Sequence, residues 1–140
     1  MKKLTLLLAT IAILFSASLF TSCSEPESNE PTIVGTWEYV QVDQWGTAKL
    51  VFVFNADGSG SLTAIENSDT DSFQQTTNFE YLYYENTSRL VFISDSQADI
   101  FDETNDYDAI ITANKLKLKR FQYESSSRVL KETIVFTRLK

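Results

Sequence analysis

Few residues of this chain are suited to chemistry, and they are of a narrow kind. Among the 140 residues there is one cysteine, Cys23, and no histidine. Without imidazole there can be no Ser/His/Asp triad, no Cys/His pair, no haem proximal ligand and no zinc site built on histidine, since each needs a group that is a good base or ligand near neutral pH. A single cysteine also excludes an internal disulfide. Carboxylates, hydroxyls, lysines and aromatic rings remain. Six acids, Asp95, Asp99, Asp102, Glu103, Asp106 and Asp108, crowd one segment. Hard cations take such oxygen clusters, but the Asp-x-Asp-x-Asp-Gly register with Glu at the twelfth position is missing, so a solvated acidic loop without metal is expected. A glycosidase pair needs two carboxyl groups on rigid walls with an apolar pocket raising one pKa, which loop acids do not supply. The expectation is no enzymatic activity and no cofactor.

The aromatic residues are more suggestive. Phe79, Tyr81 and Tyr83 alternate and so share one face of an extended segment, with Tyr84 beside them. Such a face packs a core or lines a cup for an apolar or sugar ligand. Trp45 lies in Gln44-Trp45-Gly46-Thr47, where a large aromatic at a hairpin tip has few core partners. It suits a lid over a barrel mouth or a contact for another protein. Trp45, Phe79, Tyr81 and Tyr83 are therefore the candidate ligand-binding residues.

The elements that must position these residues are strands. From Ile33 onward hydrophobicity alternates with a period of two, and no stretch has helical spacing. The pattern predicts strands over 35–43, 48–54, 61–66, 76–84, 89–94, 107–113, 116–123 and 129–139, with polar loops at 67–75 and 95–106. Asn55-Ala56-Asp57-Gly58-Ser59-Gly60 is a Gly and Asx turn, which makes the second and third strands a hairpin. In Lys115-Leu116-Lys117-Leu118-Lys119 the leucines point inward and the lysines outward. Eight strands joined mainly by short turns predict an all-β fold, an eight-stranded antiparallel up-and-down β-barrel whose closure removes exposed edges.

The first 32 residues stand apart from this pattern. Met1-Lys2-Lys3 is a short basic start, and Leu4 to Phe20 carries no charge. A run of 17 residues is short for a spanning helix of about 20 but suits a signal peptide. It ends in Phe20-Thr21-Ser22-Cys23, which resembles the lipobox of bacterial lipoproteins, with Phe20 where a leucine is usual. The resemblance implies removal of residues 1–22 and lipidation of Cys23, so that the lipid holds the protein to the membrane. Residues 23–32 contain three glutamates and both prolines and read as a flexible tether. Its acidic start resembles a surface-export signal of diderm bacteria, and equally suits a plain hydrophilic spacer. Removing two lysines and no acid takes the net charge from -7 to -9, which disfavours nucleic acid and anionic headgroups as partners.

Gly35-Thr36-Trp37 opens the first strand, and Phe136-Thr137-Arg138-Leu139 ends the last. Together with the Asn-Ala-Asp-Gly-Ser-Gly turn this resembles lipocalin-like (calycin-like) proteins, in particular the short lipocalin-like lipoproteins of diderm bacteria. The resemblance spans residues 33–140 and implies that Gly35, Trp37 and Arg138 close one end of the barrel, the guanidinium packing over the indole. It also implies outer-membrane anchoring, on the periplasmic face or at the cell surface, and a small apolar ligand. The alternative is a non-enzymatic interaction, inhibitor or scaffold module with a filled barrel and an envelope protein as partner. Interior volume discriminates the two, because Phe52, Phe54, Phe92 and Phe136 all point inward.

Overall fold

The computed structural model describes residues 31–95, 101–102 and 104–140. The signal segment, Cys23 and the tether as far as residue 30 lie outside the described residues, as do Asp99 and Glu103. Eight strands follow in chain order: β1 (Gly35–Asp43), β2 (Gly46–Phe54), β3 (Ser59–Ser68), β4 (Ser72–Tyr84), β5 (Arg89–Ile93), β6 (Asn105–Ile111), β7 (Lys115–Glu124) and β8 (Ser127–Arg138). Each strand pairs antiparallel with the next and β8 returns to β1, so the sheet closes into an eight-stranded up-and-down barrel. Successive turns alternate between two ends. One end carries the turns after β2, β4 and β6; the other carries those after β1, β3, β5 and β7.

Alternation explains which side chains fill the barrel. Leu116 and Leu118 are buried while Lys115 and Lys117 are exposed, because successive side chains of a strand leave on opposite faces. The inward residues nearest the first end are mostly aromatic. Phe52 stacks on Phe54 at 5.3 Å and on Phe92 at 5.7 Å, and meets Phe136 edge-on at 5.3 Å. Phe79 closes the cluster at 5.1 Å from Phe92. Offset and edge-to-face rings of this kind add to their area burial and leave no room for a ligand among them.

Two strand pairs run longer than the sequence pattern predicts. The segment 67–75, expected as a polar loop, is the end of β3 and the start of β4, turning over residues 69–71 with Ser68 donating its amide to Asp71 O at 2.8 Å. Here both faces of the hairpin meet water, so no apolar alternation marks the strands. Their backbone ladder and the Thr63 to Thr76 hydroxyl contact at 2.9 Å hold them instead. Likewise β2 begins at Gly46 rather than residue 48, which shortens the turn carrying Trp45. Gly46 is required there, since a Cβ at this position would collide with the Asn67 carbonyl on β3.

The closure is uneven around the barrel. β1 and β8 pair at Trp37↔Arg138 and Glu38↔Thr137, and β5 and β6 at Arg89↔Asp108 and Leu90↔Tyr107, whereas β2 is paired with β3 along its whole length. Charges brace β6 from outside, Arg89 of β5 across the second short seam and Arg128 of β8 across β7. Arg128 donates to Asp106 at 2.6 Å and to Asp108 at 2.7 Å, and Arg89 lies 3.3 Å from Asp106. The Arg128 guanidinium also sits 3.6 Å above the Phe121 ring. Asp106 is 9% exposed and Asp108 is paired, so these two acids are strand residues in an ion-pair network rather than part of a solvated loop.

Candidate functional site

The two ends of the barrel differ in chemistry. At the first end Trp37 is fully buried and its indole N–H donates to Ile33 O at 2.8 Å. Arg138 lies across it, with Cζ 4.1 Å from the ring centroid. The guanidinium donates to Ala113 O at 2.9 Å, Val34 O at 3.0 Å and Thr32 O at 2.6 Å, so it joins the chain before β1 to the turn after β6. Gly35 makes this possible: at φ +140° it carries no side chain, and a Cβ there would stand 2.6 Å from Arg138 Nη1. Gly35, Trp37 and Arg138 thus meet at one place and plug this end.

Tyr81 and Tyr83, expected as ligand residues, belong to the same closed end. The Tyr81 hydroxyl donates to Asn55 O at 2.7 Å and that of Tyr83 to Ala109 O at 3.1 Å, and burial pushes both phenols above their ordinary pKa. Phe79 is 5% exposed within the aromatic cluster. None of the three lines the cavity described next. Their alternation reflects core packing, and the two hydroxyls spend their hydrogen bonds on backbone carbonyls.

The open end holds a cup of about 510 Å³. Cross-strand rows build it from β6, β7 and β8. Leu118 and Ile134 face each other in the lowest row, with Ala109 fully buried beside Leu118; Tyr107, Arg120 and Glu132 form the next row, and Asn105 and Gln122 the uppermost. Leu50 of β2 supplies the opposite apolar wall. Arg120 lies 3.4 Å from Glu132, its Nη1 donates to Asn105 Oδ1 at 3.4 Å, and Gln122 donates to the same oxygen at 3.0 Å. Burial raises the Tyr107 phenol to about 12, against the opposing pull of the Arg120 charge. A ligand here would meet hydrocarbon below and hydrogen-bonding groups above, among which Arg120 is outnumbered by the carboxylates of Glu132 and Asp102.

These polar inward residues are absent from the sequence-based candidates, although the parity of the strands marks them. Arg120 and Gln122 continue the inward set of Leu116 and Leu118, and Glu132 that of Ile134 and Phe136. Phe101 is likewise unexpected, lying in a segment read as a polar loop. It is 8% exposed and packs 5.4 Å from Phe79 and 5.3 Å from Phe92, so the connection after β5 inserts a ring into the core. Neighbouring Asp102 accepts the Thr104 amide at 2.9 Å, which holds its carboxyl below the ordinary pKa. Among the described residues no group of acids is arranged to hold a metal ion.

Trp45 does not fold over the cup. It is 75% exposed at the β1 to β2 turn and lines a separate cleft of about 450 Å³ with Phe73 of β4. Asp43 Oδ1 accepts the amides of Trp45 and Gly46 at 2.8 and 3.1 Å and sets the turn that presents the indole. Compared with family models, with curated proteins and with solved structures, the chain finds no match in any of the three.

Proposed function

We propose that this chain is a lipocalin-like lipoprotein of a diderm cell envelope, anchored to the outer membrane through lipidated Cys23, and that its barrel binds a small uncharged amphipathic molecule without catalysing a reaction. The cup carries this reading. Leu50, Leu118 and Ile134 offer hydrocarbon contact, while Asn105, Gln122, Arg120 and Glu132 offer donors and acceptors at its rim. Among the described residues the charges in its wall are Asp102, Glu132 and Arg120, and the arginine is engaged with Glu132 and Asn105. A carboxylate such as that of a fatty acid would have to displace Glu132 and face Asp102. A neutral head group such as an amide or alcohol meets no such opposition.

Filling of the remaining barrel by aromatic rings favours a second reading, in which the interior is structural and the outer surface meets another envelope protein. Displacement of a neutral environment-sensitive dye from the barrel unit separates them. Saturable one-to-one binding that Leu118→Trp abolishes supports the cup; a protein that takes up no dye supports the filled module. Anchoring is tested separately in cells fed labelled palmitate, where the chain incorporates label and Cys23→Ser does not.

A further inference from the structure

The cleft at the β1 to β2 and β3 to β4 tips has a composition unlike that of the cup. One cross-strand row, Gln41, Ala48, Glu66 and Phe73, crosses four strands on the same face, and Asp43, Trp45 and Asp71 stand beyond it at the turns. Two large aromatic rings are open to solvent here, Trp45 at 75% and Phe73 at 52%. Exposed rings on neighbouring hairpins have a cost in water that a monomer's core does not require. Three carboxylates accompany them, and among the described residues the cleft wall holds no lysine or arginine.

Asp43, Glu66 and Asp71 have no basic partner among the described residues, as holds also for Asp57, Asp69, Glu80, Glu85, Asp95 and Asp102, whereas Glu38, Asp106, Asp108, Glu124 and Glu132 pair with a lysine or arginine. Asp43 and Asp71 also accept turn amides, while the Glu66 carboxylate accepts no hydrogen bond among the described residues. The whole chain is also acidic, at -7. Indole and phenyl faces attract organic cations through the ring quadrupole, and unpaired carboxylates beside them complete the complement. Neutral sugars would use the rings but not the charge.

We propose that this cleft docks a basic extended segment of a partner protein, with a lysine or arginine stem lying on Trp45 and Phe73 and its charge directed to Glu66 and Asp71. The surface is separate from the cup and the proposal does not depend on the cup being occupied. A segment, rather than a single small cation, fits an open cleft whose three carboxylates come from different strands and turns.

Calorimetric titration of the barrel unit, Pro31–Lys140, which carries its own closed sheet and core, tests this with three probes: a blocked Lys-Ala-Lys-Ala-Lys peptide, its Glu-Ala-Glu-Ala-Glu counterpart and maltotriose. The lysine peptide is expected to bind saturably, more weakly as salt is raised, and with affinity reduced at least threefold by Glu66→Gln and by Trp45→Ala. Neither substitution should alter dye binding in the cup, which keeps a failed fold apart from a lost contact. The proposal is overturned if the lysine peptide does not bind, if the glutamate peptide binds equally well, if both substitutions leave its affinity unchanged, or if maltotriose alone occupies the cleft.

Discussion

A single arginine joins the most distant parts of the sequence. Arg138 reaches Thr32, Val34 and Ala113 by hydrogen bonds and covers the Trp37 ring. Arg138→Ala removes the stacked cation and frees three carbonyls, so a loss of about 1–2 kcal/mol is expected, read as a lower melting temperature. Arg138→Lys should recover only part of it, because an ammonium cannot make the forked contacts. Tyr107 gives a second test at this scale. Its phenol is raised from 10.0 to about 12 by burial, so between those values the unfolded chain has released a proton that the folded chain still holds. Stability from this group is therefore intact below about pH 10 and falls as pH rises toward 12. Absorbance titration at about 295 nm should show one tyrosine ionising last, and Tyr107→Phe should remove that phase and flatten the alkaline loss of stability.

At the scale of strands, what the sequence makes legible is burial. Leu116 and Leu118 alternating with lysines, or Phe52 and Phe54 with valines, write the inward face directly into hydropathy, and the barrel order follows from short turns. Strands whose two faces are both wet leave no such mark, which is why the tips of β3 and β4 read as loop. The same blindness hides the cup. Arg120, Gln122 and Glu132 are polar at inward positions, and only the parity extended from their apolar neighbours reveals them. Phe79, Tyr81 and Tyr83 mislead in the opposite direction, since alternating aromatics suit a ligand wall and a packed core equally. Phe101 has no periodic signal because it is one ring in an irregular connection. Its packing against both Phe79 and Phe92 predicts that Phe101→Ala costs about 3 kcal/mol, far more than a loop substitution ordinarily would, and loosens β5 first in hydrogen exchange.

Taken as a whole molecule, the barrel is asymmetric along its axis: packed and latched at one end, polar and concave at the other. The aromatic cluster fills the lower half, and Tyr107 and Leu118 belong both to this core and to the wall of the cup. Binding there should raise the melting temperature in proportion to ligand concentration. Displacement of a neutral environment-sensitive dye from the barrel unit, read beside native mass spectrometry of the purified protein, tests the cup as a binding site. One site per chain is expected, with loss of binding in Leu118→Trp and weaker competition by a fatty acid than by its primary amide or alcohol of equal length. A protein that binds no dye and carries no small molecule, or whose binding survives a tryptophan at position 118, would contradict that role.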